Sequence, residues 1–214
     1  LETILGIGMA LVMAKDFHGR GLLRAAVLVP WAIPTAITAK LWAFLFSEQG
    51  IVNSIFHAHV AWQTDPWAAR FSIILADVWK TTPFMALLIL AGLQMIPKDL
   101  YEAARMDGAN AWQRFTRITL PLAKNSIIVA VLFRMLDALR MYDLPYIMVG
   151  PNPDSPTATL SQLVVAAIRQ DHVNAASTLS TLIFLLIFLI ALCFVKSLGS
   201  KVAHQAEPVV AEEE

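Results

Sequence analysis

Charge is scarce in this chain. Only 15% of its 214 residues are Asp, Glu, Lys or Arg, and 16 basic side chains balance 16 acidic ones. Soluble domains carry about 25% charge, so the shortage argues against an ordinary water-soluble domain. Zero net charge offers no bulk attraction to nucleic acid. Cysteine is nearly absent: Cys193 stands alone in an apolar run, which excludes an internal disulfide and reads as a small buried hydrophobe. No Gly-x4-Gly-Lys-Ser/Thr occurs, so ATP is expected to bind elsewhere than on this chain. His57 and His59 lack further metal ligands nearby and read as a solvated pair. No nucleophile–base arrangement stands out.

What replaces charge is apolar surface: 57% of residues are hydrophobic and mean hydropathy is +0.63. Five segments read as membrane-embedded: Thr3 to Ala14, Leu22 to Phe46, Ala68 to Leu93, Leu122 to Leu139 and Ser177 to Leu198. The first is short against the ~20 residues that a spanning helix needs. It lacks the flanks of a signal peptide, and the chain begins at Leu1, so we expect earlier membrane residues upstream. Pro30 and Pro34 fall inside segment two and Pro83 inside segment three. In a bundle the freed backbone groups can find other partners, so kinks rather than ends are expected.

Lys and Arg set the orientation. Lys15, Arg20 and Arg24 follow segment one, and Lys98, Arg105, Arg114, Arg117 and Lys124 cluster around the connection between segments three and four. Lys196 and Lys201 begin the C-terminal tail. The stretch 47–66 has no Lys or Arg, and the stretch 141–177 has Arg169 alone. This alternation places residues 94–121 and the C-terminus in the cytoplasm and the other two connections outside. Outside, residues 50–56 read as a short interfacial helix with Trp62 and Trp67 as belt aromatics, and residues 150–156 as a turn-rich loop. Leu160 to Ile168 reads as another short helix. Residues 199–214 are expected to form a disordered cytoplasmic tail.

Residues 94–121 are long for a connection yet helix-like in composition. Pro97 to Asp107 starts with Pro and Asp and continues in helix formers, Gly108 interrupts, and Ala109 to Ile118 reads as a second short helix. Gly108 permits the positive φ of a tight turn. Two readings are open: a helix–turn–helix knob for a partner's groove, or an amphipathic loop lying on the membrane surface.

Glu102-Ala103-Ala104-x3-Gly108-x9-Ile118-x-Leu120-Pro121 matches the EAA signature of bacterial ABC importer permeases at every defined position. Leu28-x-Pro30-x3-Pro34, Trp79-x3-Pro83-Phe84, Gln94-x-Ile96-Pro97 and Tyr142-Asp143-x2-Tyr146 resemble the maltose-type sugar-importer branch, and the likeness covers residues 1–198. The family's Thr before Gly-Gly-Pro is replaced here by Met148-Val149-Gly150-Pro151. The resemblance implies an all-α, polytopic bundle of the type I importer fold, with about five transmembrane helices in residues 1–198 and a coupling loop at 94–121. The family's first span or spans are missing from this stretch. It implies a multi-pass protein of the bacterial plasma (inner) membrane that imports a disaccharide such as trehalose or maltose. Implied partners are a second homologous permease, two cytoplasmic ATPase subunits that carry ATP and Mg, and an extracytoplasmic solute-binding lipoprotein. Glu102, Ala103, Ala104, Asp107, Gly108 and Ala109 become the coupling positions.

Four charges form pairs inside spans, whereas Lys40, near the outer end of segment two, is expected to snorkel. Asp77 and Lys80 are in segment three, Arg134 and Asp137 in segment four, each pair at i, i+3. At 1.5 Å per residue, Lys80 lies roughly 15–18 Å from the outer end of segment three and Arg134 roughly 18 Å from the inner end of segment four, which reads as near the midplane of hydrocarbon about 30 Å thick. They read either as an ion-pair cluster locking helices or as a polar lining for a hydroxyl-rich solute. In the maltose-type family the sugar site draws on the same stretches. The resemblance therefore points to Lys80, Thr81, Phe84 and Arg134 as pathway residues, with Asp77 and Asp137 orienting them. The same importer architecture could instead carry glycerol phosphate, a polyamine or an anion. A reading from another class, an intramembrane enzyme using Asp77, Asp137 or Asp143, is weakened by the basic neighbours Lys80 and Arg134.

Overall fold

A computed structural model describes the backbone of residues 1–206 and the side chains of residues 1–196. Its elements are helices: α1 (Glu2–Ala14), α2 (Arg20–Ala32), α3 (Thr35–Leu45), α4 (Ile51–Phe56), α5 (Pro66–Gln94), α6 (Lys98–Met106), α7 (Ala111–Arg114), a π turn (Phe115–Thr119), α8 (Leu120–Leu139), α9 (Asp143–Met148), α10 (Leu160–Arg169) and α11 (Val173–Ala206). The bundle is all-α, as its composition and spans predict.

Helix α5 is the axis. Asp65 caps it by accepting from the amides of Trp67 (3.0 Å) and Ala68 (2.8 Å), with Pro66 in the first turn where no N–H is needed. Pro83 lies in its interior without ending it. One side of α5 packs Met85, Ala86, Ile89 and Leu90 against Ala10 and Met13 of α1 and Ala130 of α8. Its other half sets Ile73 and Ala76 against Ala39 and Phe46 of α3 and Leu144 and Met148 of α9. Small residues allow these approaches. Gly92 is so close to α8 that an added Cβ would overlap the Ser126 side chain.

Length divides the spans. α5, the continuous rod Ala111–Leu139, and α11 are long and apolar enough to cross a membrane. The pair α2 and α3 qualifies together but bends by 86°. α1, with 13 residues, rises only about 20 Å, so among the described residues three helices, or four segments with the bent pair, reach spanning length and α1 is a further, shorter apolar helix.

Four expectations need correction. Segment two is broken, not kinked. Ile33 is extended (φ −71°, ψ 133°) because the ring of Pro34 clashes with a helical residue before it, and Pro34 brings no amide to continue the ladder. The second cytoplasmic helix is not separate either: it starts at Ala111 and passes through the π turn into α8. Cys193 is exposed on α11 rather than buried. α11 also runs past Leu198 to Ala206, so helix occupies part of the expected tail, while residues 207–214 lie outside the described residues.

Candidate functional site: a membrane charge cluster and an exposed helical hairpin

Arg134 on α8 is the centre of the charge cluster. Its guanidinium meets three carboxylates. Nε and Nη2 fork onto Glu2 of α1 (Nη2 to Oε1, 3.0 Å), Nη2 also donates to Asp77 of α5, and Nη1 lies 3.6 Å from Asp137. Arg134, Glu2 and Asp77 side chains are 11%, 14% and 15% exposed, whereas Asp137 is 63% exposed. The i, i+3 partner expected from sequence is therefore the loosest of the three. The strongest contacts tie α8 to α1 and α5. Glu2 was not among the residues singled out from sequence. The signal for it was a lone acid opening an apolar run, on a helix that packs on α5.

Lys80 turns to backbone. Its ammonium donates to the carbonyls of Ile33 (2.6 Å) and Trp31 (3.5 Å), at the break between α2 and α3. Those carbonyls lost their helical donors where Pro34 ends the ladder, and Lys80 supplies the substitute. One turn along α5, Phe84 stacks on Trp31 (5.2 Å between centroids, 11° between planes). The elbow is thus pinned to α5 at two levels. Thr81 donates to the Asp77 carbonyl (2.7 Å).

Asp77, Lys80, Thr81 and Asp137 line one cleft of about 180 Å³, joined by Thr35 and Tyr142. Arg134 and Asp77 line a neighbouring cavity of about 370 Å³ with Glu2. Phe84 belongs to neither lining. Four of the six pathway residues named from sequence are thus gathered at one cleft, Arg134 abuts it through Asp77, and Phe84 braces the elbow beside it.

On the basic side, α6 ends in a Schellman turn. The amide of Ala109 donates to the Ala104 carbonyl (2.9 Å), that of Gly108 to Arg105 (3.0 Å), and Gly108 has φ +77°. Asn110 and Gln113 then form a reciprocal capping box that starts the next helix. Glu102, Ala103, Asp107 and Gly108 are exposed, while Ala104 and Ala109 are half-buried. Met106 and Trp112 are 88% and 70% exposed, so the hairpin presents an apolar tip. Its base is anchored twice. The Tyr101 hydroxyl meets that of Thr119 at 3.0 Å, and Lys98 donates to Asp16 at 3.2 Å. Asp16 also pairs with Arg20. Its carboxyl is held below the usual carboxylate range, chiefly by the Lys98 hydrogen bond and charge.

A polytopic helical protein with a broken span, a charge cluster in its membrane region and an exposed helical hairpin between two spans defines the class of a transport permease. Residues 2–204 match the family described as the binding-protein-dependent transport system inner membrane component. The chain is 45% identical over 201 residues to the trehalose/maltose transport system permease protein MalF of Thermococcus litoralis, covering 92% of this chain and 68% of that one. It is 39% identical to the trehalose transport system permease protein SugA of Mycobacterium tuberculosis, covering 94% of this chain and 65% of that one. Its fold superposes, with a TM-score of 0.81 and 25% identity, on a bacterial ABC transporter involved in import of the acidic polysaccharide alginate, over 92% of this chain and 72% of that one. The chain belongs to the binding-protein-dependent ABC importer permeases, multi-pass inner-membrane proteins rather than enzymes. It spans about two thirds of the length of the curated relatives it matches.

Proposed function

We propose that this chain is the permease subunit of an ATP-driven sugar importer, forming half of the translocation path for a neutral disaccharide such as trehalose or maltose. The 45% identity to a trehalose/maltose permease over 92% of the chain carries this reading. The geometry agrees with it. A sugar presents a rim of hydroxyls, and the cleft offers carboxylate acceptors on Asp77 and Asp137 beside the Thr35 and Thr81 hydroxyls. The two buried cations are already engaged, Arg134 by carboxylates and Lys80 by carbonyls. Arg140 also lines the cleft, but it stands beside three carboxylates, Asp77, Asp137 and Asp143, and that excess of acid disfavours glycerol phosphate and acidic sugars. A pocket for a whole ligand usually holds about 300–1,000 Å³, so a cleft of about 180 Å³ fits a path completed by a second, homologous permease.

In this reading residues 94–121 and the C-terminus face the cytoplasm, where the hairpin of Glu102, Ala103, Ala104, Asp107, Gly108 and Ala109 docks on one of two ATPase subunits. ATP and Mg bind to those subunits. An external solute-binding lipoprotein delivers the sugar. The test is uptake by proteoliposomes containing the full complex and its binding protein, given radiolabelled trehalose, maltose, glycerol phosphate, spermidine and an acidic sugar. Uptake confined to the neutral disaccharides is expected. Preferential uptake of a charged solute would overturn the sugar assignment.

A further inference from the structure

Tyr142 was quoted from the sequence only as part of a motif in the external connection, yet its ring lines the same cleft as Asp77, Thr81 and Asp137. It sits just past the end of α8 and is held from behind in layers. Its ring stacks on Tyr146 (4.9 Å, 25°), and the Arg169 guanidinium lies over Tyr146 at 5.3 Å. A second tie fixes the backbone: the Thr159 hydroxyl donates to the carbonyl of Met141 at 2.7 Å. Thr159 caps α10 and Arg169 closes its last turn, so both ends of this one external helix hold the residue that faces the cleft.

We propose that Tyr142 is an aromatic sugar-contacting wall of the pathway, and that α10, through Arg169 and Thr159, positions it. The inference rests on the sugar reading above. A pyranose ring has polar edges and an apolar C–H face. The carboxylates and hydroxyls of the cleft suit the edges, and an aromatic wall suits the face. Phe84, the aromatic that the sequence put forward for this task, is committed to Trp31 instead. Tyr142 is the aromatic that the cleft presents. Stacking two rings under a guanidinium removes rotamer freedom before the sugar arrives, so less ordering remains to be done on binding.

The test uses the complete importer in proteoliposomes, with the sugar-loaded binding protein titrated from outside. Half-saturation then reports docking of the binding protein, and the maximal rate reports passage through the permease. Tyr142→Ala should lower the maximal uptake rate about tenfold, with half-saturation, complex yield and basal ATP hydrolysis unchanged. Tyr142→Phe should keep uptake near wild type, because it retains the ring. Arg169→Ala should cause a smaller loss, about two- to threefold, and Arg169→Lys should recover it by returning a cation to the ring face. If Tyr142→Ala does not assemble, Tyr142→Leu carries the test, since it keeps bulk and lacks the ring. Wild-type rates in Tyr142→Ala or Tyr142→Leu would overturn the proposal alone. A wild-type importer inert toward every neutral sugar would overturn the sugar reading and this proposal with it.

Discussion

A buried guanidinium must be matched by carboxylates, and here three of them converge on Arg134. Sequence spacing found Asp77, Lys80, Arg134 and Asp137 because charge inside an apolar run is conspicuous. The i, i+3 pair Arg134–Asp137 is present at 3.6 Å, but spacing missed the closer partners, because i, i+3 neighbours on one helix can be aimed at different helices. The structure joins Arg134 to Glu2, 132 residues away. Such pairing depends on which helices pack, which local periodicity does not report. Arg134→Ala is therefore expected to leave Glu2 and Asp77 buried and unmatched, at a cost of about 3–5 kcal/mol. The yield and melting temperature of the purified complex should fall. Adding Asp137→Ala should not restore them, since Asp137 is largely exposed. Neutralising both inner acids, as Glu2→Gln with Asp77→Asn, alongside Arg134→Met should. An Arg134→Ala complex as stable as wild type would show that the cluster does not hold the helices. Lys80→Met is a milder case: it strands the Ile33 and Trp31 carbonyls, for about 1–3 kcal/mol. The same melting assay should place it between wild type and Arg134→Ala.

At the scale of elements, most helices were legible, because long apolar runs and the Pro-led run of helix formers from Pro97 to Asp107 are local signals. The break in segment two was not read as a break. Pro34 made it visible, but deciding between a kink and an 86° turn requires knowing whether the stranded carbonyls find a donor. Lys80, on another helix, is that donor. The merging of the second cytoplasmic helix into α8 was hidden for a similar reason. Pro121 suggested a start, yet it sits in the first turn of α8, where the preceding π turn carries the rod through it. Two element-level outcomes follow. Gly92→Ala should drive α5 and α8 apart and lower the melting temperature, and Ser126→Gly in the same chain should restore it. Melting of the single and double variants checks this; an unaffected single variant would mean the helices separate freely. The Asp16–Lys98 link joins the α1–α2 connection to α6. Because the Asp16 carboxyl is held below the usual range, the link is intact at neutral pH. Its stabilising contribution is lost only as pH falls below about 4, through the lowered value. An Asp16→Asn complex should therefore lose part of the wild type's stability at pH 7, and the difference should shrink as the pH falls below about 4, measured by thermal melting.

The whole molecule connects two distant places. Gln94 at the end of α5 lies 17 residues from Asp77, about 26 Å along one helix, and α8 runs from the hairpin to Arg134 as a continuous rod. Two of the three helices that carry the membrane cluster, α5 and α8, therefore end or start at the hairpin. Tyr101 to Thr119 and Lys98 to Asp16 fasten its base, so in the proposed coupling role a push on its tip would reach α5, α8 and the α1–α2 connection together. The tip itself depends on Gly108, whose φ of +77° closes the Schellman turn that aims Met106 and Trp112 outward. Valine resists that φ, and nothing packs within 4 Å of the position. Gly108→Val should therefore reshape the tip without disturbing the bundle. Glu102→Lys reverses an exposed charge on the same face while keeping the helix. For both variants we expect normal membrane insertion and an unchanged solute cleft, with uptake strongly reduced and ATP hydrolysis no longer stimulated by sugar-loaded binding protein. Uptake and stimulated hydrolysis measured on the same proteoliposomes decide the matter. If either variant imports sugar at the wild-type rate, the hairpin is not the part of this chain through which the ATPase acts.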